Sequence, residues 1–513
     1  MKRIFMLVFS AIVLLGIVPE KDMREEGKEL GIEVLSQEEI DLLCLEKEFI
    51  CFETNITFES CDLGYDETQN MLLIPQNLDK EYFHGTLASE NDRLVFLEDS
   101  LWNDKENAIS SNHVFRLFRI GEDRYWMYNV YFTGMPVAKL STEQSGEDEN
   151  YGEMWVYDQY RDSSRYQEGK CRFRLRGSSS LYFPKPSYKV TFTEEDFSLL
   201  GMRKDDDWIL NSLYDDEGLI HNKISYELWR QIAADNQVAN DEGISMEYIE
   251  VFVDNTYMGV YGLMERVDKK ALNLNEMDIL YKGVDAKDIG EDDFYLELTE
   301  EMSPAFEIKY PQTFSQNHWD PLKEWIYKLN YEQITDYGEA EQILNMENAI
   351  DYLLFIMFIS GGDNTWKNIY YWADYKQDGT YQMIKIPWDL NMTWGNGWCE
   401  NHEYHFNLYQ EKYIDKVWEW TGDMYYLYHL NPTELGNRMY ERWKELRKKI
   451  ITEENIYSML DTQFDYIHSS GAYIRDCMFW GSREMYWSDS YIYEYTNQKI
   501  DTMEEYLDKL KLE

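Results

Sequence analysis

The chain has 513 residues, 44% of them hydrophobic, and carries 97 acidic against 49 basic side chains for a formal net charge of −48. The hydrophobic fraction supports a sizeable core and argues against a disordered chain. The charge argues against nucleic acid and anionic membrane as partners, since both are polyanions; most of these carboxylates read as a solvated acidic surface, with attraction of basic protein segments as the functional alternative. Six scattered cysteines (Cys44, Cys51, Cys61, Cys171, Cys399 and Cys477) match neither a disulfide framework nor a zinc-ligand spacing.

In chain order, Lys2 and Arg3 precede an apolar run from Ile4 to Val18, the n-region and h-region of a signal peptide. No small-x-small cleavage site follows, so residues 1–20 are expected to be a signal peptide or an uncleaved anchor. Export is expected either way. No other stretch is long enough to span a bilayer. Residues 21–134 read as a polar linker, with a helix over Gln37–Lys47, followed by a β-rich accessory domain with aromatic alternation in Arg124–Phe132. From 135 to 265 strands dominate. Arg172–Leu175 and Tyr188–Phe192 flank the turn-rich Arg176-Gly177-Ser178-Ser179-Ser180. A helix is expected over Leu219–Gln231. Tyr248–Val253 and Tyr257–Met264 read as paired strands joined at Asp254-Asn255. From 266 to 513 helices are expected near Asp320–Leu329, Met346–Ile359, Pro432–Lys449, Asn455–His468 and Asp489–Leu510.

The helix Met346–Ile359 has apolar residues at Ile350, Leu353, Leu354, Met357 and Phe358. A loop from Gly361 to Asn368 follows. Then come a strand at Ile369–Trp372, the turn dipeptide Asp378-Gly379, a second strand at Tyr381–Ile386, and Pro387-Trp388-Asp389. An Asp-Gly turn between alternating strands signals a hairpin. Protein kinases use this order: Asp-x-x-x-x-Asn, a hairpin, then a metal-binding Asp. In that reading Asp363 accepts the hydroxyl proton, while Asn368 and Asp389 hold metal. Taken alone, the same spacing fits a loop whose Asp and Asn cap turns.

Further blocks occur in order. They are Leu175-Arg176-Gly177-Ser178-Ser179-Ser180, Phe183-Pro184-Lys185-Pro186-Ser187-Tyr188-Lys189-Val190-Thr191-Phe192, Asp207-Trp208-Ile209-Leu210, Tyr214-Asp215-Asp216, Leu219-Ile220-His221-Asn222-Lys223-Ile224-Ser225-Tyr226-Glu227-Leu228, Tyr257-Met258-Gly259-Val260-Tyr261 and Ile308-Lys309-Tyr310-Pro311. With the Asp363 loop and Pro387-Trp388-Asp389, the chain from about Met135 onward resembles the spore coat protein H (CotH) kinase family, atypical secreted or spore-associated protein kinases. The resemblance implies an α+β, two-lobed protein-kinase-like fold, with lobes at 135–265 and 266–513 behind the accessory domain. It implies ATP with Mg2+ or Mn2+ as cofactors, and phosphoryl transfer to Ser or Thr of a protein substrate, one expected to be basic and Ser-rich. The setting would be secreted, cell-surface or spore-associated.

On this resemblance, Arg176, Gly177, Ser178 and Ser179 form a nucleotide loop, and Lys189 binds phosphate, with Lys185 as the competing candidate. Glu227 would pair with that lysine. Backbone groups near Leu263–Glu265 would receive adenine. Two positions depart from the family pattern: His221 stands where arginine is common, and Asn391 where a second Asp often follows Trp388-Asp389. Two other functions stay open. One is a carbohydrate-active or carbohydrate-binding protein, suggested by 16% aromatics and abundant carboxylates. The other is a pseudokinase or surface adhesin on the same fold.

Overall fold

The computed structural model describes residues 30, 32–51, 54–216, 218–236, 238, 242–284, 305–330, 334–396, 414, 417, 421–481 and 490–512. The expected signal segment, residues 1–20, lies outside them. Among the described residues no helix is long and apolar enough to cross a membrane. The fold is mixed α+β and divides into two compact units.

The first unit comprises the described residues up to Gly134, with Asn255–Tyr257 and Ser469–Gly471. Its seven-stranded sheet is built around the hairpin Phe115–Ile120 and Arg124–Thr133. Alternate residues of the long strand are buried, as the period of a half-covered sheet requires. Phe83, Phe115, Phe132 and Trp102 form an aromatic cluster, with ring centroids 4.2 Å apart for Trp102 and Phe115.

The second unit opens with a closed barrel of seven strands: β1 (Val137–Gln144), β2 (Asn150–Tyr157), β3 (Tyr166–Arg176), β4 (Ser187–Phe192), β5 (Asp207–Asn211), β6 (Met246–Val253) and β7 (Thr256–Met264). The spatial order is β1-β2-β3-β4-β5-β7-β6. A parallel pairing of β1 with β6, from Val137 opposite Glu250 to Leu140 opposite Val253, closes the ring. Period-2 alternation fills the inside with Leu140, Met154, Phe173, Val190, Trp208 and Val251. The opposite face of β5 and β7 carries Ile209 and Met264 into a second, larger core.

That second core is organised by helix α1 (His221–Asn236), a four-stranded antiparallel sheet, and a set of helices. The sheet consists of β8 (Ile279–Gly283), β9 (Phe306–Tyr310), β10 (Ile369–Tyr375) and β11 (Tyr381–Pro387), in the order β9-β8-β10-β11. The helices include α2 (Asp320–Asn330), α3 (Met346–Ile359), α4 (Pro432–Lys449), α5 (Glu453–Ser469), α6 (Ala472–Trp480) and α7 (Ser490–Leu512). Helix α3 is apolar on nearly every side and buried along its length, so it forms the centre of the unit. It packs against α1, α4, α7 and β11. The Asn345 side chain accepts from the Asn348 backbone N–H at 3.0 Å and caps its start.

One buried ion pair holds β7 to α6. Lys185 and Asp476 are 0% and 1% exposed, with Nζ 2.5 Å from Oδ1. Lys185 also donates to the Val260 carbonyl at 2.6 Å, and the Val260 N–H donates to Asp476 Oδ1 at 2.8 Å. Gly259, at φ +86°, makes room for the carboxylate: a Cβ there would lie 2.0 Å from Asp476 Oδ1. Asp476→Ala should therefore strand a buried ammonium and lower unfolding stability by about 3–5 kcal/mol in urea titration. The double change Lys185→Met with Asp476→Leu should recover most of that loss.

Candidate functional site

Helix α3 ends at Ser360, which takes the left-handed conformation (φ +56°). A single helical turn, Gly362–Asn364, follows before the chain enters β10. The β10–β11 register pairs Ile369 with Pro387, and the Trp388 N–H donates to the Asn368 carbonyl at 3.0 Å. The buried Asn364 amide nitrogen locks this end, donating to the carbonyls of Asn368 (3.0 Å) and Trp388 (2.7 Å). Asn368 and Asp389 thus leave the hairpin side by side, both left-handed at φ +55° and +58°. Asn and Asp are the non-glycine types that accept this region most readily. Asp363 pairs with Lys367 at 2.9 Å.

Helix α1 holds the segment from below. The Asp389 N–H donates to the Tyr226 hydroxyl at 3.0 Å, and the Leu390 N–H donates to Asn222 Oδ1 at 2.8 Å. Asn222 and Tyr226 are four apart and share a face of α1. Burial pushes the Asp389 carboxyl above its ordinary value. Nearby Arg176 and Lys282 oppose the shift, Asp363 adds to it, and Lys367 opposes it. Asp215, just before α1, is pushed up to about 6, first by burial and then by the Asp389 charge beside it. Asn391 Nδ2 donates to Asp215 Oδ2 at 2.6 Å.

Besides Lys367 on the Asp363 loop, two cations of the site come from strands. Arg176 ends β3 and lies over the Trp388 ring at 5.7 Å, and Lys282 on β8 lies over the same ring at 5.9 Å. Burial, then Lys309 and Arg176, push the Lys282 amine down to about 8, against the pull of Asp389 and Glu307. Gly177, at φ +133°, is required next to Arg176, because a Cβ would come 2.0 Å from Ser180 Oγ. Ser178 is exposed beyond it, and the side chain of Ser179 lies outside those described.

The other expected site residues have different partners. Lys189 pairs with Asp207 at 3.3 Å, with Arg266 among its charged neighbours. The expected pair of Lys189 with Glu227 is not formed: Glu227 pairs with Lys223 at 3.0 Å, one helical turn away, and accepts from Gln463. Lys185 is committed to Asp476. Glu265 accepts from the backbone N–H groups of Arg203 (2.9 Å) and Ser245 (2.8 Å), and lines a polar cleft of about 420 Å3 with Arg161, Arg203 and Arg230. Lys282, Asp215, Tyr226 and Asn222 had no role in the sequence reading. Asp215, Asn222 and Tyr226 lie inside blocks that carry the family resemblance, whereas Lys282 has no signal beyond a strand lysine.

Among the described residues, no group of three or more His, Cys, Asp or Glu side chains is arranged to hold a metal. Asp389 nevertheless raises the proton affinity of the Asp215 carboxyl beside it, and Asp363 raises that of Asp389, which is the relation a shared divalent cation relieves. The donor set therefore fits Mg2+ or Mn2+ through Asp389 and Asp215, with Asn368 at the same hairpin end.

A family model described as CotH kinase protein matches residues 173–510, well over half of the chain. The chain belongs to the CotH kinase protein family. It is also similar to the inner spore coat protein H of Bacillus subtilis (strain 168), at 25% identity over 224 residues, 43% of this chain and 58% of that protein. The match thus spans less than two thirds of the relative's length.

The Asp215 shift sets a pH dependence. Without a divalent cation, the folded protein binds more protons than the unfolded chain between the ordinary Asp value of 3.8 and about 6. Stability should therefore fall as pH rises through that window. Asp215→Asn should flatten this slope in thermal melts with EDTA, and added Mg2+ should offset it in the unchanged protein above pH 6.

Proposed function

We propose that the chain transfers the γ-phosphoryl group of ATP to Ser or Thr hydroxyls of a protein. The observation that carries this reading is the convergence of Asp363, Asn368 and Asp389 at one hairpin end, beside Asp215, Arg176 and Lys282. Family membership supports the same chemistry. Asp363 takes the proton of the attacking hydroxyl. The new bond joins that oxygen to the γ-phosphorus, and the bond from phosphorus to the leaving ADP oxygen breaks. Arg176 and Lys282 face the phosphates as fixed cations. Asp389, Asp215 and Asn368 would hold a divalent ion, which supplies charge neutralisation for the phosphates when bound. In this reading the barrel and the helical region act as the two lobes of a kinase-like fold, with Glu265 at their connection.

The relative's name places that protein in the inner spore coat, so we infer a spore-associated or exported setting for this chain. Its acidic surface suits a basic, Ser-rich acceptor.

Incubation with ATP, Mg2+ and a basic Ser-rich peptide tests the activity. Asp363→Ala should lower transfer about 100- to 10,000-fold and keep nucleotide binding, the signature of a lost base. Asp389→Ala should instead abolish Mg2+-dependent nucleotide binding. Equal binding losses in the two variants would overturn these roles.

The two lysines give a second test. Lys282→Met should raise the KM for ATP, whereas Lys189→Met, at a residue paired with Asp207, should change it little. Steady-state kinetics at fixed peptide reads both, and the reverse order would return the phosphate contact to Lys189.

A further inference from the structure

One face of the C-terminal helix α7 touches each chain segment that carries an acidic group of the site. Tyr491, Tyr495 and Lys499 recur every four residues and so share one side of the helix. Tyr491 hydrogen-bonds His221 Nε2, and His221 Nδ1 lies 2.7 Å from Asp216 Oδ1. Asp216 also accepts from the Ile220 and His221 N–H groups, at 3.2 and 2.9 Å, and so fixes the turn in which Asp215 is its neighbour.

One turn further on, the Tyr495 hydroxyl donates to the Phe358 carbonyl at 2.9 Å. Its single proton is then used, so it accepts from Ser360 Oγ at 2.7 Å. Lys499 Nζ donates to the same Ser360 Oγ at 3.0 Å. Ser360 is the left-handed residue that turns the chain from α3 into the Asp363 loop. Between these two anchors, Tyr495 packs against Trp394 with ring centroids 6.0 Å apart, and a Cβ on Gly395 would lie 3.4 Å from its ring. Trp394 follows Asp389 and Asn391 by a few residues, and its N–H donates to the Ile359 carbonyl at 2.6 Å.

We infer that Tyr491, Tyr495 and Lys499 are positioning residues: this stripe of α7 sets the distance between the Asp215 turn, the Asp363 loop and the Asp389 segment. The inference rests on the reading of these acids as one phosphoryl-transfer site. None of the three side chains touches the reacting groups, and each acts through a named intermediary: His221–Asp216, Ser360, or Trp394. A fully buried lysine is a costly tether unless its geometry matters. Burial pushes its amine down to about 7, so it can stand against Ser360 uncharged.

The test uses the full chain with Tyr491→Phe, Tyr495→Phe and Lys499→Met, and Glu505→Gln on the exposed side of the same helix as control. Each stripe variant should lower kcat about 10- to 100-fold, the cost of a small misplacement, with the KM for ATP within about twofold. The control should change neither. Lys499→Met removes a buried amine for a side chain of similar shape and should melt no lower than the parent. Loss of kcat in a variant at least as stable as the parent is therefore not general unfolding.

Amide hydrogen exchange separates this idea from the proposed activity, since it needs no turnover. The stripe variants should exchange faster at Gly361–Asn368 and Leu213–Asp216, with the barrel strands unchanged. That result with a parent protein inactive toward every acceptor would sink the kinase reading and keep the positioning role. Unchanged kcat and exchange in both Tyr495→Phe and Lys499→Met would overturn the positioning role itself.

Discussion

The charge of Asp389 lies close enough to Asp215 to raise its carboxyl's proton affinity, and the hydrogen bonds and cations around the two acids hold them at one site. Burial raises the proton affinity of both carboxyls, and the Asp389 charge raises that of Asp215 further. The compensation is local and specific. Asn391 donates to one Asp215 oxygen, and Arg176 and Lys282 bring positive charge to Asp389 through two strands that are distant in sequence. Helix α1 supplies Asn222 and Tyr226, which fix the backbone at Asp389 and Leu390. A pair kept together at this cost is preorganised for a cation in the sense that little rearrangement remains to be done on binding.

The two departures from the family pattern fit within this arrangement. His221, where the resemblance leads one to expect arginine, is engaged on both ring nitrogens, by Asp216 and by Tyr491. Its role at the start of α1 is therefore carried by an Asp–His–Tyr chain rather than by a guanidinium. Asn391 replaces a carboxylate with an amide, and the amide is turned toward Asp215. A carboxylate there would have added a third like charge, whereas the amide donates to Asp215.

The legible parts of the sequence were those governed by local rules. The apolar period of Met346–Ile359, closed by Ser360-Gly361-Gly362, reproduces the observed α3 boundaries, and the Asp378-Gly379 turn marks the hairpin that brings Asn368 next to Asp389. The expected helix Pro432–Lys449 also matches the observed bounds of α4, which has Pro at its first turn and Arg447, Lys448 and Lys449 at its last. Charge partners were not legible, because sheet register and long-range packing choose them. Lys189 faces Asp207 across a strand pair, Glu227 finds Lys223 along its own helix, and Lys282 reaches Asp389 from a strand more than a hundred residues upstream. Closure of the barrel was hidden for the same reason: β1 and β6 pair in parallel across a separation that no local pattern encodes.

That closure has a consequence for how the protein meets other chains. An open sheet ends in a row of unpaired N–H and C=O groups that any extended peptide can copy, whether a ligand or a neighbour on the way to an aggregate. The ring of β1 to β7 offers no such row. A protein rich in aromatic strands can therefore be crowded at high local concentration without its barrel acting as a template for fibrils.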